Sequence, residues 1–272
     1  MEKIPRDRFL IIIGAMKSGA TALFDKLERT SNICSPIGDK EPHYFSLKCG
    51  EFNYDDLWDY DPNNHSWALE ASTTYTMHPR IKGTAGRMRD YGIDPKLYYI
   101  LRNPLDRIVS ECNFCRGKTW SDQSLTITDA HFHTVSNYFV QLEEFRKVWP
   151  NKKITLLDFE DLKTNSDEML EDICKELEVP YTPIEFRGEY VHKTEIPTRA
   201  QDLAYRFKFI RKAANTLLPA SVRRGINNLP MLGNREKSVL SNSQKDYLRG
   251  VLAEDMRRLK DSYGFPVEKW GF

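Results

Sequence analysis

Two short stretches of this chain carry residue types that bind anions, and each stands where a chain would leave a strand. The first, Gly14-Ala-Met-Lys-Ser-Gly-Ala-Thr21, follows an apolar run and opens a helical pattern. Successive backbone N–H groups and the positive end of a helix then converge on one point, a cradle for phosphate. The common nucleoside-triphosphate loop places Lys-Ser/Thr directly after its second glycine, whereas here Lys17 precedes Ser18-Gly19. A lysine inside the turn reaches over a bound phosphate as a point charge at the bond being broken. The plain alternative is a tight glycine turn carrying a solvated lysine. The second stretch is Arg102-Asn-Pro-Leu-Asp-Arg-Ile-Val-Ser110, in which Arg102 leaves a strand end and Ser110 lies two helical turns further on. Taken alone it also fits a proline-started helix with surface arginines. Two anion sites on adjacent strand ends imply a nucleotide with phosphates at both ends of its ribose.

The elements that must position these residues show in the apolar pattern. Phe9-Leu-Ile-Ile-Ile13 is a continuous, largely β-branched run, the signature of a strand buried on both faces. Ala22, Leu23 and Leu27 then recur at helical spacing. A second unit begins at Leu97-Tyr-Tyr-Ile-Leu101, turns at Arg102-Asn-Pro104 and continues through Ile108 and Val109 on a helix started by the proline. Lys153-Ile-Thr-Leu-Leu-Asp158 predicts a third strand, after a helix of roughly three turns through Tyr138, Leu142, Phe145 and Val148. Met169, Leu170, Ile173 and Leu177 predict another helix, ended by Pro180. Strands alternating with helices predict an α/β fold: a parallel sheet covered on both faces, with its ligand site at the carboxyl ends of the strands. The last third reads as helix, over Leu203 to Leu218 and Ser241 to Leu259.

Composition narrows the function. The 272 residues are 29% charged and 40% hydrophobic, enough for a globular core. With 40 Lys and Arg against 39 Asp and Glu, a global attraction to nucleic acid is excluded. A local basic patch remains, since residues 199–235 hold eight Lys and Arg against Asp202. It is either a solvated helical face or a site for an anionic ligand or membrane surface. The longest apolar run is far short of the roughly 20 residues a bilayer span needs, and the charged residues before Phe9 fit a secretory signal poorly. A cytoplasmic location is expected, or a Golgi lumen if the chain has been trimmed of an anchor. Five cysteines point to a reducing compartment, and Cys112 and Cys115 read as two helical thiols one turn apart, with no metal site expected.

Gly14-Ala-Met-Lys-Ser-Gly-Ala-Thr-Ala-Leu23 resembles the 5′-phosphosulfate loop of sulfotransferases that use 3′-phosphoadenosine 5′-phosphosulfate (PAPS). Arg102-Asn-Pro-Leu-Asp-Arg-Ile-Val-Ser110 resembles their 3′-phosphate motif. Further similarity runs through Lys40-Glu-Pro-His-Tyr-Phe45, Glu70-Ala-Ser-Thr-Thr-Tyr75, Leu156-Leu-Asp-Phe-Glu-Asp-Leu162 and the closing Glu254-Asp-Met-Arg-Arg-Leu259 with Trp270. KEPHYF is closest to the heparan-sulfate-type and bacterial carbohydrate branch, whose glutamate at this place acts as the base; that carries over to Glu41. His43 is the rival base, or a packed histidine. Ala20 stands where members usually have threonine, and Ala71 and Thr73 where the heparan-sulfate enzymes commonly have lysine and proline.

The resemblance implies a P-loop-like central parallel sheet with a helical C-terminal region. One sulfotransferase domain would span 1–272, with a nucleotide-binding core over about 1–180 and helices over about 199–272 packed on it. It implies sulfuryl transfer from PAPS, leaving PAP, to a hydroxyl or amine of an acceptor, a carbohydrate or glycolipid. Lys17, Ser18, Gly19, Ala20, Thr21 and Ala22 would hold the 5′ end, Arg102 and Ser110 the 3′-phosphate, and Glu41 and Lys17 would be catalytic, without a metal. Two other readings compete. A P-loop-like kinase needs a Mg²⁺ ligand after a strand, and Asp158 is available, though it also fits a helix cap before Glu160. A nucleotide-binding protein without transferase activity is the other. Tyr44, Phe45, Trp58, Trp67 and Tyr75 either stack on an acceptor or pack in the core.

Overall fold

The computed structural model describes residues 4–116, 124–150, 154–181 and 237–272. The basic segment 199–235 and the helix expected over Leu203 to Leu218 lie outside the described residues. Five strands form one sheet, β1 (Phe9–Gly14), β2 (Ile33–Cys34), β3 (Trp67–Glu70), β4 (Lys96–Leu101) and β5 (Ile154–Asp158), in the order β2-β3-β1-β4-β5. Every pairing is parallel, with Leu10 beside Leu69 of β3, Ile11 beside Leu97 of β4, and Leu101 beside Asp158. All carboxyl ends therefore lie along one edge, and from β1 the chain turns first toward β3 and later toward β4. That reversal between β1 and β4 opens the crevice in which such sheets bind ligands.

The alternation of side chains explains why β1 and β4 are so largely apolar. Phe9, Ile11, Ile13, Leu97, Tyr99 and Leu101 point to one face, where they pack on α2 (Thr84–Tyr91), α5 (Tyr138–Arg146) and the C-terminal helix Asn242–Tyr263. Leu10, Ile12, Tyr98, Ile100 and Leu157 point to the other, under α1 (Ala20–Leu27), α6 (Phe159–Thr164) and α7 (Ser166–Leu177). Burial on both faces selects large hydrophobic side chains along β1 and most of β4. Helix α3 (Pro104–Cys115) starts at its proline, with Asn103 accepting a bond from the Leu105 amide, and packs on Leu248 and Leu252 of the C-terminal helix and on Phe132 of the short α4 (Ala130–His133).

Two features of the C-terminal helix follow from local chemistry. Ser241 and Gln244 form a reciprocal capping box at its start, and it runs past Leu259 to Tyr263 before Gly264 closes it at φ 65°. Inside it the buried Asp255 accepts the Phe139 and Val140 amides at 2.9 and 3.0 Å, capping α5 from another element. The five aromatic residues weighed as an acceptor platform, Tyr44, Phe45, Trp58, Trp67 and Tyr75, are all buried in the core. Among the described residues no helix is long and apolar enough to cross a membrane.

Candidate active site

The loop after β1 is shaped by close packing. Gly14 has φ 149°, and a Cβ there would fall on the Thr76 hydroxyl, which itself donates to the Ile13 carbonyl at 2.9 Å. Gly19 has φ 90°, and a Cβ would meet Phe159 Cδ2 at 3.0 Å and Leu162 Cδ2 at 3.1 Å. Only glycine fits both the left-handed backbone and the approach of α6. Lys17 turns the loop at φ 68°, with its ammonium 4.4 Å from the centre of the Phe114 ring on α3. The Ser18 amide already donates to the Ala15 carbonyl at 3.1 Å. The first bond of α1 runs from the Leu23 amide to the Gly19 carbonyl, so helix geometry leaves the amides of Ala20, Thr21 and Ala22 ahead of it.

The second stretch meets the first directly. Arg102 leaves β4 and donates Nη1 to the Lys17 carbonyl at 2.9 Å, while its guanidinium lies 4.6 Å from the centre of the Phe159 ring. Its Nε is buried and has no hydrogen-bond partner among the described residues. Burial lowers its pKa from the ordinary arginine value, against the pull of Asp106. The Ser18 hydroxyl is also buried and makes no well-formed hydrogen bond, although it stands close enough to the Tyr138 phenol to act on it electrostatically. Ser110 is half-buried on α3.

Arg107, in the middle of the same motif, is not a surface arginine. It is fully buried, donating to Ser136 Oγ at 2.6 Å, Glu111 Oε2 at 2.7 Å, the Phe132 carbonyl and, at 3.5 Å, the Met16 carbonyl of the loop. Arg80 takes the other Glu111 oxygen at 3.1 Å and contacts His131 Nε2 at 3.0 Å. Among the described residues Glu111, Cys115 and His131 bring potential ligand atoms within 4.8 Å of one another. Two guanidinium groups already hold that carboxylate, so the place of a cation is taken. Cys112 and Cys115 are buried on α3 and form no disulfide.

A third group assembles at the end of β3. Glu41 lies on the loop after β2; its Oε1 pairs with Lys40, and its Oε2 accepts Thr73 Oγ1 at 3.0 Å and the Thr73 amide at 3.4 Å. His43 Nε2 is 3.9 Å from the same Oε2, and His43 Nδ1 meets Thr74 Oγ1 at 2.9 Å. Burial lowers the imidazole pKa, with the Glu41 carboxylate pulling the other way. Glu70, which sequence reasoning left without a role, is fully buried and accepts the hydroxyls of Tyr54, Tyr75 and Ser72 at 2.7, 2.9 and 2.9 Å. Burial pushes its carboxyl up to about 7, opposed by those three bonds and helped by the nearby Glu41 charge. Beyond its place in the quoted EASTTY segment, no composition signal marked it.

Asp158, the available magnesium ligand of the kinase reading, instead caps α6 by accepting the Glu160 amide at 2.8 Å and pairs with Lys269. The carboxyl edge of the sheet thus presents, in strand order, Thr73 with Glu41 beyond β3, the Lys17 loop beyond β1, Arg102 beyond β4 and Phe159 beyond β5.

A parallel sheet with a glycine-bounded loop at its switch point, met by an arginine from the end of the next strand, is an α/β fold of the P-loop-like kind. The sulfotransferase domain profile matches residues 7–203, more than two thirds of the chain, and the chain belongs to that family. It is similar to the crystal structure of a sulfotransferase from Alicyclobacillus acidocaldarius, over 99% of this chain and 100% of that one, at 19% identity and a TM-score of 0.64. Mouse sulfotransferase SULT7A1 complexed with PAP matches at 16% identity over 94% of this chain and 85% of that one, with a TM-score of 0.49. The sulfotransferase domain from the Curacin biosynthetic pathway matches at 15% identity over 93% and 99%, with a TM-score of 0.44. No curated protein matches the chain.

Proposed function

We propose that this sulfotransferase takes its sulfuryl group from PAPS and passes it to a hydroxyl or amine of a carbohydrate or glycolipid acceptor. The observation that carries the reading is the 2.9 Å bond from Arg102 Nη1 to the Lys17 carbonyl, which joins the two anion-binding segments into one groove. The residues fit a nucleotide phosphorylated at both ends. Among the described residues Arg102 Nε and the Ser18 hydroxyl are both buried and without a hydrogen-bond partner, and Gly19 lets the loop pass against Phe159 and Leu162 of α6 where a Cβ would not fit.

When bound, PAPS supplies an activated sulfuryl group whose bond to the 5′-phosphate oxygen is ready to break. Lys17, with the Ala20, Thr21 and Ala22 amides and the Thr21 hydroxyl, would hold the negative charge that develops on that oxygen. Ala20 offers no hydroxyl, so the cradle has one donor fewer than a threonine there would give. Arg102 and Ser110 would hold the 3′-phosphate, the group that separates this nucleotide from ATP. Glu41, at the neighbouring strand end, would take the proton of the acceptor and align its oxygen or nitrogen in line with the leaving phosphate. Asp158 is engaged in capping, so the kinase reading lacks its magnesium ligand.

Incubation with PAPS and a panel of sugars, glycolipids and small hydroxylated compounds, read by mass spectrometry, tests the proposal. A gain of one sulfate on an acceptor supports it. PAP binding with no sulfate gain in any acceptor class favours the non-catalytic binding protein instead.

A further inference from the structure

Glu41 comes from a loop rather than a strand or helix, so the direction of its carboxylate depends on what grips it. Lys40 grips Oε1, but it is the adjacent residue, about one-fifth exposed, and travels with the same loop. Thr73 belongs to another element. It opens the turn Thr73–Thr76 after β3, and that turn is anchored to the sheet. The Thr76 hydroxyl donates to the Ile13 carbonyl of β1, the Tyr75 phenol to Glu70 Oε1, and the preceding Ser72 hydroxyl to Glu70 Oε2. Thr73 is itself buried, with a β-branched side chain of restricted χ1, and both its hydroxyl and its amide donate to Glu41 Oε2. The proline that the heparan-sulfate enzymes commonly carry at this place has neither donor.

We propose that Thr73 is the positioning residue for Glu41: it fixes Oε2 against the rigid end of β3, so that the remaining lone pairs face the acceptor. This rests on the reading of Glu41 as the base. Without the hydroxyl, the only hold that Thr73 keeps on Oε2 is the longer bond from its amide at 3.4 Å, with Lys40 on one side and His43 Nε2, 3.9 Å from Oε2, on the other.

Two measurements on Thr73→Val and Thr73→Ser test it. Release of inorganic sulfate from PAPS, with water as acceptor, should fall about tenfold in kcat for Thr73→Val while PAP affinity stays within about twofold, and Thr73→Ser should restore the rate. Equilibrium unfolding of the nucleotide-free protein should show Thr73→Val and Glu41→Ala coupled by about fivefold in the unfolding constant, because they remove the same bond. Additive unfolding effects would overturn the proposal, as would a serine variant that fails to recover the rate. If Thr73→Val keeps full kcat while Glu41→Gln is inactive, the positioning role falls and the base stands. If Glu41→Gln keeps full rate, the base assignment falls, and the unfolding cycle still reports whether the contact exists.

Discussion

Removing Arg102 should separate nucleotides by their 3′-phosphate. Its guanidinium has five N–H donors; one serves the Lys17 carbonyl, and the buried Nε serves nothing among the described residues. Two charge-assisted bonds to a phosphate contribute about 1.5 to 3 kcal/mol each. At the lower figure, loss of the phosphate bonds in Arg102→Ala should by itself cost about 3 kcal/mol in PAP binding, on the order of 100-fold in Kd, with the loss of the loop tie added to it. The same substitution removes the tie to Lys17, a neutral acceptor, at about 1 kcal/mol. That part loosens the 5′ cradle and falls equally on any nucleotide. Adenosine 5′-phosphosulfate, which lacks the 3′-phosphate, should therefore lose only about fivefold. Calorimetric titrations of both nucleotides at one ionic strength give the comparison, since phosphate contacts weaken with salt. Arg102→Lys should recover part of the PAP affinity, keeping the charge and losing the fork. Equal losses for the two nucleotides would show that Arg102 shapes the loop and does not read the 3′ end.

Glu41→Gln should lower kcat by roughly 10²- to 10⁴-fold and leave the Kd for PAP within about twofold, because a base acts on the acceptor and not on the nucleotide; a variant with unchanged turnover removes Glu41 from that role. Glu70 should make stability depend on pH. Its carboxyl rises from an ordinary 4.5 to about 7 on folding, so the folded state holds the proton across that window and the unfolded state does not. Unfolding free energy should then decline as pH rises from 4.5 to 7, by about 3 kcal/mol in all, and change no further above it. Denaturant unfolding of the wild type and Glu70→Gln across pH 4.5 to 8 should differ by that slope, and parallel curves would refute the assignment.

The sequence made some of this arrangement legible and hid the rest for physical reasons. β1 and β4 stand out because burial on both faces demands apolar runs, and because glycine or proline follows them; β5 shows more weakly, since Thr155 interrupts it and Leu156 is only half-buried. β2 has two residues and β3 has four, the last of them Glu70, so neither shows a periodicity. Yet β3 is the strand that carries Thr73 to Glu41, a contact between residues 32 positions apart that no local pattern encodes. Arg107 resembles any helix-surface arginine until the packing of Phe132 and Ser136 is known. The opposite holds for Asp158, where the capping role was readable from its place before Glu160. The capping box at Ser241 and the closing Gly264 were likewise available in the residues themselves.

In the proposed function the ends of β1 and β4 grip the two phosphorylated ends of one adenosine. A titration of the purified protein with PAP in the presence of a chelator, set beside ATP with Mg²⁺, tests it most directly. Tight one-to-one binding of PAP without metal and much weaker binding of ATP are expected. Binding of ATP with Mg²⁺ in preference to PAP, or no binding of PAP at all, would contradict it.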